Sequence, residues 1–171
     1  MYQTSITIDQ VIDILADFVT PFIPAGAEIV RAQVNRVPQP GVPCVVLTEL
    51  LTNALQMAWE THDGSAQTTE INEPTRIDIQ VDFYDAQASE YCKAFKSAFR
   101  SAWGFDQFPA YLKPLYSGDG IQSPMITGEQ QWGNRWTITV SLQYNPSVTV
   151  PQQSAQALAP NSVSAADLPQ V

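Results

Sequence analysis

The 171-residue chain is poor in the side chains that most catalysis and metal binding draw on, with one histidine, His62, and two cysteines, Cys44 and Cys92. Zinc and haem centres need clustered His, Cys or carboxylate ligands, so no metal site and no cofactor is expected. Ser–His or Cys–His chemistry would have to recruit His62, which falls in a stretch expected to be an exposed loop. Neither cysteine has an activating context, and no nucleophile-elbow motif occurs. Both cysteines read as buried reduced thiols, Cys44 in an apolar run and Cys92 on a helix, with a disulfide between them left open. The glycines of "SGDG" lack the strand–loop–helix setting and Lys-Ser/Thr ending of a phosphate loop, and read as a tight turn. Basic residues are scarce too: 8 Lys plus Arg stand against 17 Asp plus Glu, a net charge of -9. That balance argues against a protein that coats nucleic acid by neutralising phosphates, but not against one that lets DNA pass without sticking. No run approaches the ~18 apolar residues of a membrane span, and the N-terminus lacks the pattern of a signal peptide. A cytoplasmic setting without a membrane partner is expected.

What is present suits one core of ordinary size, at 44% hydrophobic residues. Residues 7–20 predict a helix, with Thr7 and Gln10 at capping-box spacing and Ile8, Val11, Ile12, Leu15, Phe18 and Val19 on one stripe. Pro21 is expected to end it. Asp9, Asp13 and Asp17 stand one turn apart on the other face, either as a solvated row or as an acidic edge for a basic partner surface.

Between residues 22 and 75 short β-like pieces are separated by turn chemistry. "AEIVRAQVNR" and "CVVLTEL" predict two strands joined by a proline-rich turn, and "ALQMAWETHD" a further strand. "DGSAQTTEINEP" reads as an exposed hairpin tip or loop.

The period changes inside residues 75–104. Ile77, Ile79, Val81 and Phe83 alternate with Asp78, Gln80 and Asp82, a strand with one buried and one wet face. Ala88, Tyr91, Cys92, Phe95, Ala98, Phe99, Ala102 and Trp103 then fall on one helical stripe over 86–103, with Asp85 as N-cap and Gly104 as terminator. Asp78 and Asp82 share the outer strand face about 7 Å apart. That separation would suit a glycosidase pair, but any half-exposed strand produces it. Lys93, Lys96 and Arg100 form a basic row on the helix, either solvated or facing acidic groups of a neighbouring copy, for which the Asp9, Asp13 and Asp17 row is a candidate.

Residues 105–131 are turn-rich, with one short strand expected around Met125 and Ile126. "RWTITVSLQYNP" alternates cleanly, Trp136, Ile138, Val140, Leu142 and Tyr144 inward. The order of elements predicts an α+β fold with a mainly antiparallel sheet and two principal helices packed on it. From Asn145 the character changes: 27 residues hold one charged side chain, Asp167, and four prolines. The expected division is a domain over 1–144 and an extended or flexible C-terminal arm over 145–171. Fully stretched, that arm would reach roughly 90 Å, far beyond the domain's own radius.

"RAQVNRVPQPGVPCVVLTEL", "TRIDIQVDFYD" running into an amphipathic helix, and "GNRWTITVSLQYNP" leading into a polar arm resemble the tail terminator (neck terminator) proteins of bacteriophages. The resemblance covers about residues 7–150. The turn formed by Asn35, Arg36, Pro38 and Pro40 ahead of an apolar strand is its most distinctive part. It implies a structural, non-enzymatic virion protein, assembled in the host cytoplasm, whose copies form a ring of six capping the tail tube. Such a ring stops polymerisation of the tube, and of the sheath where there is one, and joins the tail to the neck and head. The implied partners are further copies, the tube protein, a sheath protein in contractile tails, and neck or connector proteins, with DNA passing through the channel. On this reading Asp9, Asp13, Asp17, Lys93, Lys96 and Arg100, and Pro146, Val148, Val150 and Pro151 of the arm, are candidates for subunit or partner contacts, and Asp78 and Asp82 for the channel. The alternatives are another neck or tail-completion protein, or a small ligand-binding or hydrolytic α+β domain using the "SGDG" and "SPMITG" loops.

Overall fold

A computed structural model describes residues 2–32, 41–123, 125–126 and 132–153, without the side chains of 125, 126 and 132. The motif residues Asn35, Arg36, Pro38 and Pro40, and residues 154–171 of the expected arm, lie outside the described residues. The chain opens with α1 (Ile8–Val19), capped as expected: the Gln10 amide donates to Thr7 Oγ1 and the Thr7 amide to Gln10 Oε1. Val11, Ile12, Leu15, Phe18 and Val19 are buried. Pro21 sits inside a single 3₁₀ turn, Thr20–Phe22, that continues directly from the helix, since a first-turn proline loses no helical hydrogen bond.

Five strands follow: β1 (Glu28–Arg31), β2 (Cys44–Ala54), β3 (Trp59–Asp63), β4 (Thr68–Asn72) and β5 (Thr75–Tyr84). Then come α2 (Ala88–Phe99) and α3 (Ala102–Gln107), and β6 (Leu112–Ser117), β7 (Ile121–Gln122), β8 (Met125–Ile126), β9 (Trp132–Gly133), β10 (Arg135–Tyr144) and β11 (Ser147–Pro151). The main sheet has the order β1-β2-β5-β10-β6, with β7 also on β10; β11-β4-β3 form a second sheet and β8-β9 a short third one. Apart from β1 with β2, which pair in parallel, every pairing among the described residues is antiparallel. The fold is α+β and mainly antiparallel, with α1 and α2 as its principal helices.

Several expectations change. β1 and β2 are not a hairpin, because parallel neighbours need a crossover between them. Thr68–Asn72, read as part of a loop, is a strand because β3 and β11 hydrogen-bond to either side of it. β6 went unread: "LKPLYS" lacks alternation and contains Pro114, which an edge strand tolerates. The helix expected over 86–103 breaks at Arg100 and Ser101, where the Ser101 hydroxyl accepts from the Gly104 amide and starts α3. Gly104 is therefore inside a helix, and an added Cβ there would overlap the Ala98 carbonyl. Trp103, expected on the buried stripe, is 54% exposed as a result. Asp85 does not cap α2; Gln87 holds that position without a side-chain bond.

The core lies between one face of the main sheet and the helices. Ile77, Ile79, Val81 and Phe83 of β5 are fully buried, and Phe95 of α2 joins them to α1, its ring centroid 5.6–6.2 Å from those of Phe18, Phe22, Phe83 and Phe99. Cys44 and Cys92 are buried free thiols. Gly120 of "SGDG" packs against Cys92, where a Cβ would come within 2.6 Å of the sulfur. That approach gives the glycine a packing role.

Phe95→Ala is expected to lower unfolding free energy by roughly 3–5 kcal/mol, a large part of an ordinary domain's ~5–15. Tyr2→Ala, at an exposed site, should change it by less than about 0.5 kcal/mol. Urea denaturation followed by tryptophan fluorescence measures both.

Candidate interaction surfaces

The second face of the main sheet is lined by the side chains that alternate with the core residues of β5 and β10. On β5, Asp78 and Asp82 point to this face as expected, but they are not wet: Asp82 is 2% and Asp78 9% exposed. β2 and β10 flank β5 on both sides, and side chains of β5 and β10 close over the carboxylates. Arg135 donates to Asp82 from Nε at 3.2 Å and Nη2 at 2.8 Å, joined by Thr137 Oγ1 at 2.5 Å and Gln80 Nε2 at 2.7 Å. Asp78 accepts from Arg76 Nε at 2.7 Å and Nη2 at 2.8 Å and from Ser141 Oγ at 2.6 Å. Burial pushes the Asp78 carboxyl up, but the bonds from Arg76 and Ser141 and the Arg76 charge outweigh it and hold it below the usual aspartate range. A glycosidase acid needs the opposite shift, so this geometry does not support that pair. The centre of the face carries two Asp–Arg pairs whose charges cancel, set among Thr137, Thr139, Ser141 and Gln143, while Val46 and Leu51 of β2 and Tyr116 of β6 lie on its flanks.

The two charged helix rows are partly engaged within the chain. Asp9 pairs with Arg31, which also reaches Glu49 at 3.4 Å, while Asp13 and Asp17 are exposed. Lys93 pairs with Glu90 at 3.1 Å and Lys96 with Asp119; such surface pairs are worth ~0–1 kcal/mol. Arg100 instead donates from Nη2 to the Ser117 carbonyl at 2.6 Å and lies 5.4 Å from the Tyr116 ring centre. Lys113 behaves alike, donating to the Phe105 and Phe108 carbonyls at 3.2 and 2.8 Å over the Phe105 ring. Among the described residues, Arg100 and Lys113 are the basic side chains with no ion pair.

The first part of the expected arm is a strand on this chain's own hairpin. β11 pairs along β4, with Val148 opposite Ile71, Val150 opposite Thr69 and Pro151 opposite Thr68. The Pro146 carbonyl accepts from the Glu73 amide, and Ser5 ties down Ser147 through two bonds. The Gln152 amide then donates to the Gln67 carbonyl at the hairpin tip. His62, which falls in the strand expected over "ALQMAWETHD" as well as in the expected exposed loop, is on β3, where its Nδ1 lies 3.1 Å from Thr69 Oγ1.

Sequence patterns did not single out two exposed apolar patches. One spans the end of β2 and the turn into β3: Leu50, Leu51, Leu55, Met57 and Trp59. The other surrounds β6: Phe105, Tyr111, Leu115 and Tyr116, beside a cleft of about 170 Å³ that Phe99, Arg100 and Pro114 also line. Each includes a β-bulge, one between Glu49 and Leu51 and one where β6 meets Ser141 and Leu142. No periodicity count reveals a bulge.

No group of three or more His, Cys, Asp or Glu residues among the described residues could hold a metal ion. Burial pushes the Cys92 thiol up to about 11, against the opposing Lys96 charge, and burial and Glu28 raise that of Cys44. Protonated thiols are poor nucleophiles.

No curated protein sequence matches the chain. Among solved structures, the sheath/tube terminator of an extracellular contractile injection system (PVC), in its extended state, is similar with a TM-score of 0.53 at 10% identity, over 98% of this chain and 67% of that one. At that identity the likeness speaks to the fold. The phage neck terminator protein model matches residues 9–165, and the chain belongs to that family, a structural component of the phage tail and neck.

Proposed function

We propose that the protein forms a ring, of six copies, that caps the phage tail tube, stops extension of the tube and of the sheath where there is one, and joins the tail to the neck and head. The observation that carries this reading, beyond family membership, is the polar second face of the main sheet. Its hydroxyl and amide side chains and its two cancelling Asp–Arg pairs make a surface that neither captures nor strongly repels a passing phosphate chain. A channel wall for DNA needs that neutrality, because net positive charge would hold DNA by counterion release. On this reading Asp78 and Asp82 keep the channel arginines neutralised. Asp13 and Asp17 remain free for a basic partner, and the C-terminal arm contacts a neighbouring copy. Assembly takes place in the host cytoplasm.

Purified protein mixed with growing tail tubes is expected to appear in electron micrographs as rings at tube ends and to halt elongation. A stable monomer at high concentration, with undecorated ends, would reject the reading.

The neutral face also makes a stability prediction. Asp82→Asn takes the carboxylate from half-buried Arg135 and should cost roughly 1.5–3 kcal/mol. Asp78 has its pKa lowered by folding, so its contribution is present above the ordinary aspartate value of about 3.9 and fades as pH falls through its lower folded value. The urea midpoint of Asp78→Asn should therefore lie below wild type near pH ~6 and approach it near pH ~3. A gap of constant size would remove Asp78 from the account.

A further inference from the structure

We propose that neighbouring copies join edge to edge, the outer half of β2 (49–54) pairing antiparallel with β6 of the next copy, with Leu50 and Leu51 entering the cleft beside Leu115. The joint rests on the ring proposed above and identifies the surfaces that hold it together.

The main sheet has two open edges in the same half. β1 covers β2 only along Cys44–Leu47, so among the described residues the rest of β2 has no strand on its outer side. At the opposite margin β6 ends the sheet, and β7 takes over only at Trp136 and Thr137. Strand directions match a head-to-tail joint. β2 and β10 both run antiparallel to β5, and β6 runs antiparallel to β10. β6 therefore runs opposite to β2, and a rotation about a ring axis lays the two edges together as an antiparallel pair.

Height, shape and charge agree. Leu50 has no partner on β5 and lies between the Ile79 and Asp78 rows. Leu115 has none on β10 and lies between the rows of Ser141 and Leu142, which face Asp78 and Ile77. The two bulges are thus about one residue apart in height, roughly 3.4 Å. Leu51 is 54% and Leu115 47% exposed, and the cleft of about 170 Å³ beside Leu115 has room for an aliphatic side chain, since a cavity of ~150 Å³ holds a benzene-sized group. Pro114 deprives the β6 edge of one donor, so apolar contact carries much of the joint. Arg100 and Lys113, which make no ion pair of their own, flank the cleft, with the Lys96-paired Asp119 the acidic group whose charge Arg100 also feels. The hairpin that continues from β2 carries exposed Glu60, Glu70 and Glu73 with no ion pair among the described residues. Each edge complements the other but not itself, which selects a second copy in heterologous arrangement, the kind that closes into rings.

The test places Leu51→Cys and Leu115→Cys in one chain, the native cysteines being buried, and adds a short bismaleimide. Paired strands hold facing Cβ atoms about 4.5–5.5 Å apart, so the double variant should give a ladder up to the full ring, a mixture of the two single variants only dimers, and either alone none. Leu115→Asp should leave the circular dichroism spectrum unchanged and weaken assembly by roughly 30-fold or more, the size of a hot-spot loss. Rings that lack the ladder, or that survive Leu115→Asp intact, overturn the joint while leaving the ring standing. Wild-type protein that never assembles, alone or on tube ends, overturns both.

Discussion

Strand β5 must satisfy two incompatible surroundings at once, and the rest of the fold is arranged around that constraint. Ile77, Ile79, Val81 and Phe83 are sealed against the helices, while Asp78 and Asp82, one residue out of step, are nearly as deeply covered on the opposite side. A buried carboxylate is tolerated only when paired and hydrogen-bonded, so Arg76 and Arg135 are obligatory companions. The arrangement also locks register: a one-residue slip of β5 would drive both carboxylates into the aromatic cluster around Phe95 and turn four large apolar side chains toward the polar face. The Asp82–Arg135 pair spans β5 and β10, so it specifies this register.

Because both faces of β5 are committed, the surfaces available for partners lie at the margins. Many of the exposed apolar side chains lie at sheet edges, on bulges and in the turn after β2, and Arg100 and Lys113, which make no ion pair, sit beside one of those edges. Edge strands are a hazard in a lone protein, since they template pairing with other chains. In the joint proposed above, that hazard would become the means of assembly. The same logic accounts for several side chains with reactive chemistry: Cys92 is committed to packing against Gly120, and Asp78 and Asp82 to neutralising arginine.

Legibility followed the regularity of each element. α1, β5 and β10 were readable because their apolar residues keep one period from end to end, and Thr7 with Gln10 marked the start of α1. α2 was read too long because the apolar stripe continues past the break; the break depends on Ser101 capping the next helix and on Gly104 fitting against Ala98, neither of which has a periodic signature. β6 was unreadable because an edge strand with a proline and a bulge does not alternate. The charged rows were legible in charge but not in partner: Lys93 and Lys96 have acidic neighbours in their own chain, whereas Arg100 donates to the Ser117 carbonyl and lies against Tyr116, which the fold brings to it.

Sequence alone determined the α+β class, the strand-to-helix switch near Tyr84 and the two buried thiols, and, through specific turns and strands, the resemblance to phage terminators. These follow from side-chain period and composition, which are local. Tertiary structure decided the parallel placement of β1 on β2, the capture of Ser147–Pro151 by the chain's own hairpin, and the conversion of Asp78 and Asp82 from expected wet groups into buried ion pairs. Each depends on which residues from distant parts of the chain come to lie side by side, and an alternating pattern carries no record of its neighbour.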